Sequence, residues 1–163
     1  MQNRSAGSEM RELDRIDRRI LHVLQVEGRI PITELAARVN LSATPCAERV
    51  RRMERDGTIM GYHARVDPRA LGRTLLVFLE IKLSAKSGDV FDKVRDELAR
   101  VPEVLECHLV SGEFDYLVKA RLPEMSAYRK LLGDLLRRLP ASASSHSYVV
   151  MEEVKETLAM PVD

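Results

Sequence analysis

Near residue 74 the hydrophobic period of this chain changes, and that change limits the fold more than any other feature of its 163 residues. Upstream, apolar side chains recur every three or four positions, the period of a helix buried along one face. Downstream, strict alternation enters, the period of a half-buried strand. In the first part, Leu13, Ile16, Ile20, Leu21, Val23 and Leu24 form one stripe, with Arg15, Asp17, Arg18 and Arg19 assigned to the other face. Gly28 follows as a stop, and a second short helix is expected from Thr33, whose hydroxyl can cap free backbone N–H groups, with Leu35, Ala36 and Val39 inward. A turn at Asn40-Leu41-Ser42 leads to Thr44-Pro45, a favourable helix start, and Gly57 ends this third helix.

Three short helices with a four-residue turn before the last make a helix-turn-helix pattern, in which the third helix enters a DNA groove if it carries a suitable surface. With Cys46 set at zero and 100° per residue, Val50 and Met53 fall within about 40° of it and form the inward stripe. Thr44, Glu48, Arg51 and Arg55 fall on the opposite side, facing a groove. Arg49 and Arg52 fall on one flank, where long guanidinium side chains can reach phosphates. An arginine-rich helix for protein contact is the alternative.

The second part alternates from Leu75 to Leu83, then shows a helical stripe of Val90, Phe91, Val94, Leu98 and Val101 stopped by Pro102. Val104–Ser111 and Asp115–Leu122 read as strands joined by a tight turn at Gly112–Phe114, and so as a hairpin. After Pro123 comes a stripe of Tyr128, Leu131, Leu132, Leu135, Leu136 and Leu139, closed by Pro140, and His146–Met151 reads as a last strand. The small polar residues of 141–147 read as a mobile loop. The order βαββαβ is the ferredoxin-like split unit, with both helices on one face of an antiparallel sheet and the other face in need of a cover. A second copy of the chain can supply it. The expected class is therefore α+β: a helix-turn-helix domain over residues 1–60, a linker over 61–73 that begins as an extended arm or short strand, and a ferredoxin-like domain over 74–163.

Charge follows the same division. Residues 1–66 hold 12 Lys+Arg against 9 Asp+Glu, and residues 67–163 hold 14 against 16. All 12 cations of the first part are arginines, the side chain best suited to bidentate phosphate or guanine recognition. Against enzymatic function stand the absence of GxSxG, GxxxxGK[ST] and GxGxxG patterns and of any activated nucleophile. Cys107 and His108 are strand neighbours and so point to opposite faces. No metal site or cofactor is expected either, since His22, His63, His108 and His146 stand apart and Cys46 and Cys107 form no CxxC pair. The cysteines are expected as reduced thiols. No apolar run reaches membrane-spanning length, and the reading is a cytoplasmic, nucleoid-associated protein without a membrane partner.

One polar segment stands out in the second part. In Val110-Ser111-Gly112-Glu113-Phe114-Asp115-Tyr116 a glycine turn offers backbone N–H groups and Asp115 a carboxylate, the pair of groups that a free amino acid's carboxylate and ammonium require. Ordinary turn chemistry accounts for the same residues.

Several runs resemble the Lrp/AsnC, or feast/famine, family of bacterial transcriptional regulators. They are Leu13-Asp14-Arg15-Ile16-Asp17, Leu41-Ser42-Ala43-Thr44-Pro45-Cys46, Arg49-Val50-Arg51-Arg52-Met53-Glu54, residues 57–62, 106–117 and 125–132, and Tyr148-Val149-Val150-Met151-Glu152-Glu153-Val154. The resemblance spans about residues 11–156. It implies double-stranded DNA as a partner, an ACT-like βαββαβ sensor domain, dimers joined sheet to sheet, and octamers or larger rings of dimers. It further implies a small amino acid effector, leucine being expected, at the contact between dimers; carried over to this chain, the effector residues are Leu109, Gly112, Asp115, Met125, Tyr148, Val149 and Val150. The other reading is an effector-independent architectural DNA-binding protein. Ala43, where family members often carry proline, the arm 1–10, the segment 142–147 and the tail 157–163 depart from the family pattern.

Overall fold

The computed structural model describes residues 12–139 and 143–162. They form two compact units: the chain up to Arg65 together with residues 155–162, and Val66–Val154.

In the helical unit, α1 (Arg15–Val26), α2 (Ile32–Arg38) and α3 (Ala43–Arg55) enclose a core of Ile20, Leu35, Val39, Cys46, Val50 and Met53. Asp14 caps α1: its Oδ1 accepts from the amides of Ile16 and Asp17 at 2.8 Å each, and Asp17 accepts in return from the Asp14 amide. This reciprocal pair satisfies donors that the first helical turn leaves free. The cap expected from Thr33 is not made, because α2 starts one residue earlier, after Pro31, with no side-chain cap. In the turn before α3, Asn40 takes a left-handed conformation (φ 58°), which asparagine tolerates better than most residues.

Asp17 departs from expectation. It is 1% exposed, inside the apolar stripe rather than among the arginines of the outer face. The tail departs too, since residues 155–162, expected with the second domain, group with the helices. Gln25 explains this: its side-chain amide donates to the Met160 carbonyl at 3.0 Å and accepts from the Met160 amide, as a neighbouring strand would.

In the second unit, β1 (Leu75–Leu83), α4 (Gly88–Ala99), β2 (Val104–Leu109), β3 (Tyr116–Leu122), α5 (Met125–Arg138) and β4 (Ala143–Val149) follow the expected βαββαβ order. The sheet order is β2-β3-β1-β4, antiparallel throughout, and the linker contributes a short 3-10 turn at Pro68–Leu71. Alternation along β1 sends Leu79, Ile81 and Leu83 into a core with Val94, Leu98, Val118 and Leu135. The last strand begins three residues before its expected start, and residues 143–147, expected as loop, are paired: Ser145 lies opposite Ile81 and Ser147 opposite Leu79. The rest of that loop lies outside the described residues.

Ile81 has no exposed surface. Ile81→Ala should therefore cost about 2–5 kcal/mol through lost transfer energy and a residual cavity. Urea denaturation followed by circular dichroism checks this through a lower midpoint at an unchanged slope.

Candidate functional site

On α3 the structure separates the six expected DNA-contacting residues into two groups. Thr44, Glu48, Arg51 and Arg55 are exposed, as the helical wheel requires, with Cys46, Val50 and Met53 buried behind them. None of the four side chains makes a hydrogen bond or salt bridge with another described residue. Arg49 and Arg52 instead turn toward α1 and are about three-quarters buried, with side chains 25% and 26% exposed. Arg49 Nη1 lies 2.6 Å from Asp14 Oδ2 and 2.8 Å from Asp17 Oδ1, and Arg52 Nη2 lies 2.6 Å from Asp17 Oδ2. In the sequence Asp17 reads as surface, although its spacing carries a signal: it follows Leu13 by four positions and precedes Ile20 by three, the spacing of the buried stripe.

Seven residues were expected at an effector site, and one chain does not gather them. At the β2–β3 hairpin are Leu109, Gly112 and Asp115. Gly112 has φ 152°, a conformation glycine adopts freely, and nothing lies within 4 Å of where a Cβ would sit, so glycine provides turn geometry here rather than room. The Asp115 carboxylate is buried, accepting from the Leu83 amide at 2.8 Å and pairing with Lys86 Nζ at 2.8 Å. Burial raises its pKa, but the Lys86 ammonium and the Leu83 amide more than offset this and hold the carboxyl below its ordinary value. Leu83 and Lys86 are thus partners of Asp115 that the sequence does not reveal.

Met125, Tyr148, Val149 and Val150 lie at the other end of the sheet. Val149 is registered with Val77 and Tyr148 with Phe78, the Val150 amide donates to the Leu76 carbonyl, and Met125 opens α5 just past β3. The Glu80 carboxylate beside the Tyr148 hydroxyl pushes its pKa up. Through Phe78 and Val77, Tyr148 and Val149 stand level with Lys119 and Ala120, four and five positions along β3 from Asp115, about 13–17 Å at the rise of an extended strand, and Met125 lies past the far end of β3. Both groups expose apolar surface: Leu109 is 60% exposed, Tyr148 52%, Met125 44% and Val149 42%. Among the described residues no group of His, Cys, Asp and Glu could hold a metal ion, and no helix is long and apolar enough to cross a membrane.

Comparison with known proteins accounts for both units. Residues 13–54 match the AsnC-type helix-turn-helix domain and residues 76–160 the Lrp/AsnC ligand binding domain. The leucine-responsive regulatory proteins of Klebsiella pneumoniae and Escherichia coli K12 are each 56% identical over 147 residues, 90% of both chains. Among solved structures, a transcriptional regulator of Neisseria meningitidis in complex with L-methionine superposes with a TM-score of 0.88 at 32% identity, covering 93% of this chain and 98% of that one. An AsnC family regulator of Agrobacterium tumefaciens gives 0.87 at 32% identity, covering 91% and 96%.

The ion pair on α1 carries a pH dependence. Hydrogen bonding by the Asp17 amide and by Arg49 lowers the Asp14 pKa from 3.8 to about 2. Its ionised form therefore stabilises the fold fully above about pH 4, and that stabilisation is lost as the pH falls toward 2. Asp14→Asn protein should lose less stability than the parent over that interval, as measured by thermal unfolding at each pH.

Proposed function

This chain belongs to the Lrp/AsnC family of DNA-binding transcriptional regulators, and from that membership we propose that it responds to leucine through a site that two copies of the chain complete. The observation that carries the proposal is the separation of the seven effector residues to opposite ends of one sheet. An amino acid, shorter than about 10 Å, cannot span a separation of about 13 Å or more along the strand, so a hairpin end of one copy meets a Met125–Val149 end of another. Contact of unlike ends is heterologous, and heterologous contacts close into rings when the rotation allows. This agrees with an assembly of dimers into octamers or larger rings, each dimer joined through the uncovered sheet faces.

In this reading the ligand's ammonium displaces Lys86 from Asp115, and the freed Lys86 meets the ligand's carboxylate. The side chain is buried between Met125 and Val149, worth about 1.5–3 kcal/mol for a group of leucine's size. Leucine is favoured over methionine because the relatives at 56% identity are named as leucine-responsive, whereas the methionine complex belongs to a protein at 32%. At the other unit, two recognition helices of a dimer enter successive major grooves about 34 Å apart, with Thr44, Glu48, Arg51 and Arg55 toward the bases. Effector and DNA then influence one another equally through the assembly that both contact.

Thermal unfolding against a panel of amino acids tests the sensor. Leucine at a hundredfold its dissociation constant should stabilise the protein by about 2.7 kcal/mol. No stabilisation by any amino acid would instead point to the effector-independent architectural reading. Complementation tests the shared site. Asp115→Asn and Met125→Ala proteins should each lose the leucine response, and co-refolding them in equal amounts should restore about a quarter of the sites, those in which two intact ends meet. A site held within one chain would stay silent in the mixture, since every chain carries a defect.

On the DNA side, Arg51→Ala should relax sequence preference by about 1–3 kcal/mol at one base position. Competition between a bound promoter fragment and its single-base variants measures it.

A further inference from the structure

We propose that Asp17 is a positioning residue for DNA recognition: its buried carboxylate holds Arg49 and Arg52 off the DNA and fixes which face of α3 is presented. The inference rests on the reading of α3 as the recognition helix, and it revises the part that reading gave to two of the six residues.

Both carboxylate oxygens of Asp17 are engaged, Oδ1 by Arg49 at 2.8 Å and Oδ2 by Arg52 at 2.6 Å. Asp17 is 1% exposed, so withdrawing the guanidinium groups toward phosphate would leave a carboxylate buried and unpaired, a state the fold strongly disfavours. Asp14 holds Arg49 a second time while capping α1, which ties the arginine to the start of that helix. The two arginines lie three positions apart, nearly one turn, so they grip Asp17 from successive levels of α3. One such contact permits α3 to roll about its axis. Two at different heights set both its roll and its axial position against α1.

The consequence for DNA is a matter of charge. The helix carries four arginines, Arg49, Arg51, Arg52 and Arg55. Asp17 takes the first and third out of the outward face, leaving Arg51 and Arg55 beside Thr44 and Glu48. Phosphate contacts strengthen binding to any sequence, whereas contacts to base edges discriminate. Holding two cations inward therefore lowers affinity for random DNA relative to a specific site.

The test measures affinity for a specific fragment and for random duplex across a range of salt, using the intact chain. Asp17→Asn keeps the side chain's shape and removes its charge, so Arg52 is released and Arg49 keeps only its pairing with Asp14. Binding to random DNA should tighten, the slope of log affinity against log salt should steepen by up to about 0.9 for each phosphate newly contacted, and the ratio of specific to random affinity should fall. A purely structural role would weaken binding to all DNA without steepening the slope, and that result would overturn the proposal. Arg52→Met retains the apolar stem and decides the matter even if Asp17→Asn fails to fold. Its salt slope should equal the parent's, whereas a slope shallower by about 0.9 would show that Arg52 contacts phosphate and would overturn the inference. Failure of the recognition-helix reading is distinguishable, since the Arg51→Ala and Arg55→Ala proteins would then bind every DNA as the parent does.

Discussion

Alternation along β1 is the constraint on which the second unit depends. The strand is paired on both edges, by β3 and by β4, so its side chains can only point to one sheet face or the other. One face takes Val77, Leu79 and Ile81 under α4 and α5. The other takes Phe78, Glu80 and Lys82, in register with Tyr148, Leu117 and neighbouring polar residues of β3 and β4. That face combines half-buried apolar side chains with ionic ones, the mixture expected of a surface that meets another protein. The same antiparallel pairing keeps the hairpin with Asp115 and the strand end with Val149 at a fixed distance. In the proposed function an effector site joining them is a property of an assembly, and linkage between effector and assembly then needs no special conformational relay.

The helical unit depends on a different kind of interaction. Its apolar core fixes that α1 and α3 pack, but a stripe of Cys46, Val50 and Met53 against Ile20 and Leu35 is forgiving of small rotations, since hydrophobic contact has no direction. Ion pairs with fixed guanidinium geometry do have direction. The pair of arginines on Asp17 adds what the apolar contacts lack, a defined roll of the helix proposed to read DNA. Stability and recognition then share residues, and arginines that look like phosphate ligands on a helical wheel serve the interior.

Much of this was legible in the sequence because it is written in period. The helices, the alternation of β1 and β3, the hairpin at Gly112 and the outward set Thr44, Glu48, Arg51 and Arg55 all follow from spacing along the chain. What escaped depends on partners distant in sequence. Asp17 is charged and flanked by arginines, so it reads as surface until Arg49 and Arg52, more than thirty positions later, neutralise it. The start of β4, Ala143-Ser144-Ser145, carries no β-branched or aromatic residue and reads as loop; pairing with β1 makes it a strand. The site of the tail was hidden because one glutamine, Gln25, engages a backbone unit at Met160, which leaves no side-chain pattern to read. The Asp115 carboxylate was found, but its engagement by Leu83 and Lys86 belongs to folding rather than to local sequence.

In the proposed function the effector site exists only where two chains meet. Leucine affinity measured by calorimetry over protein concentrations that span the assembly equilibrium, with sedimentation run on the same samples, tests it most directly. Affinity should weaken as dilution breaks the contact between unlike ends, and leucine should shift the assembly equilibrium in proportion. Leucine binding of constant affinity down to species that lack this contact would contradict it.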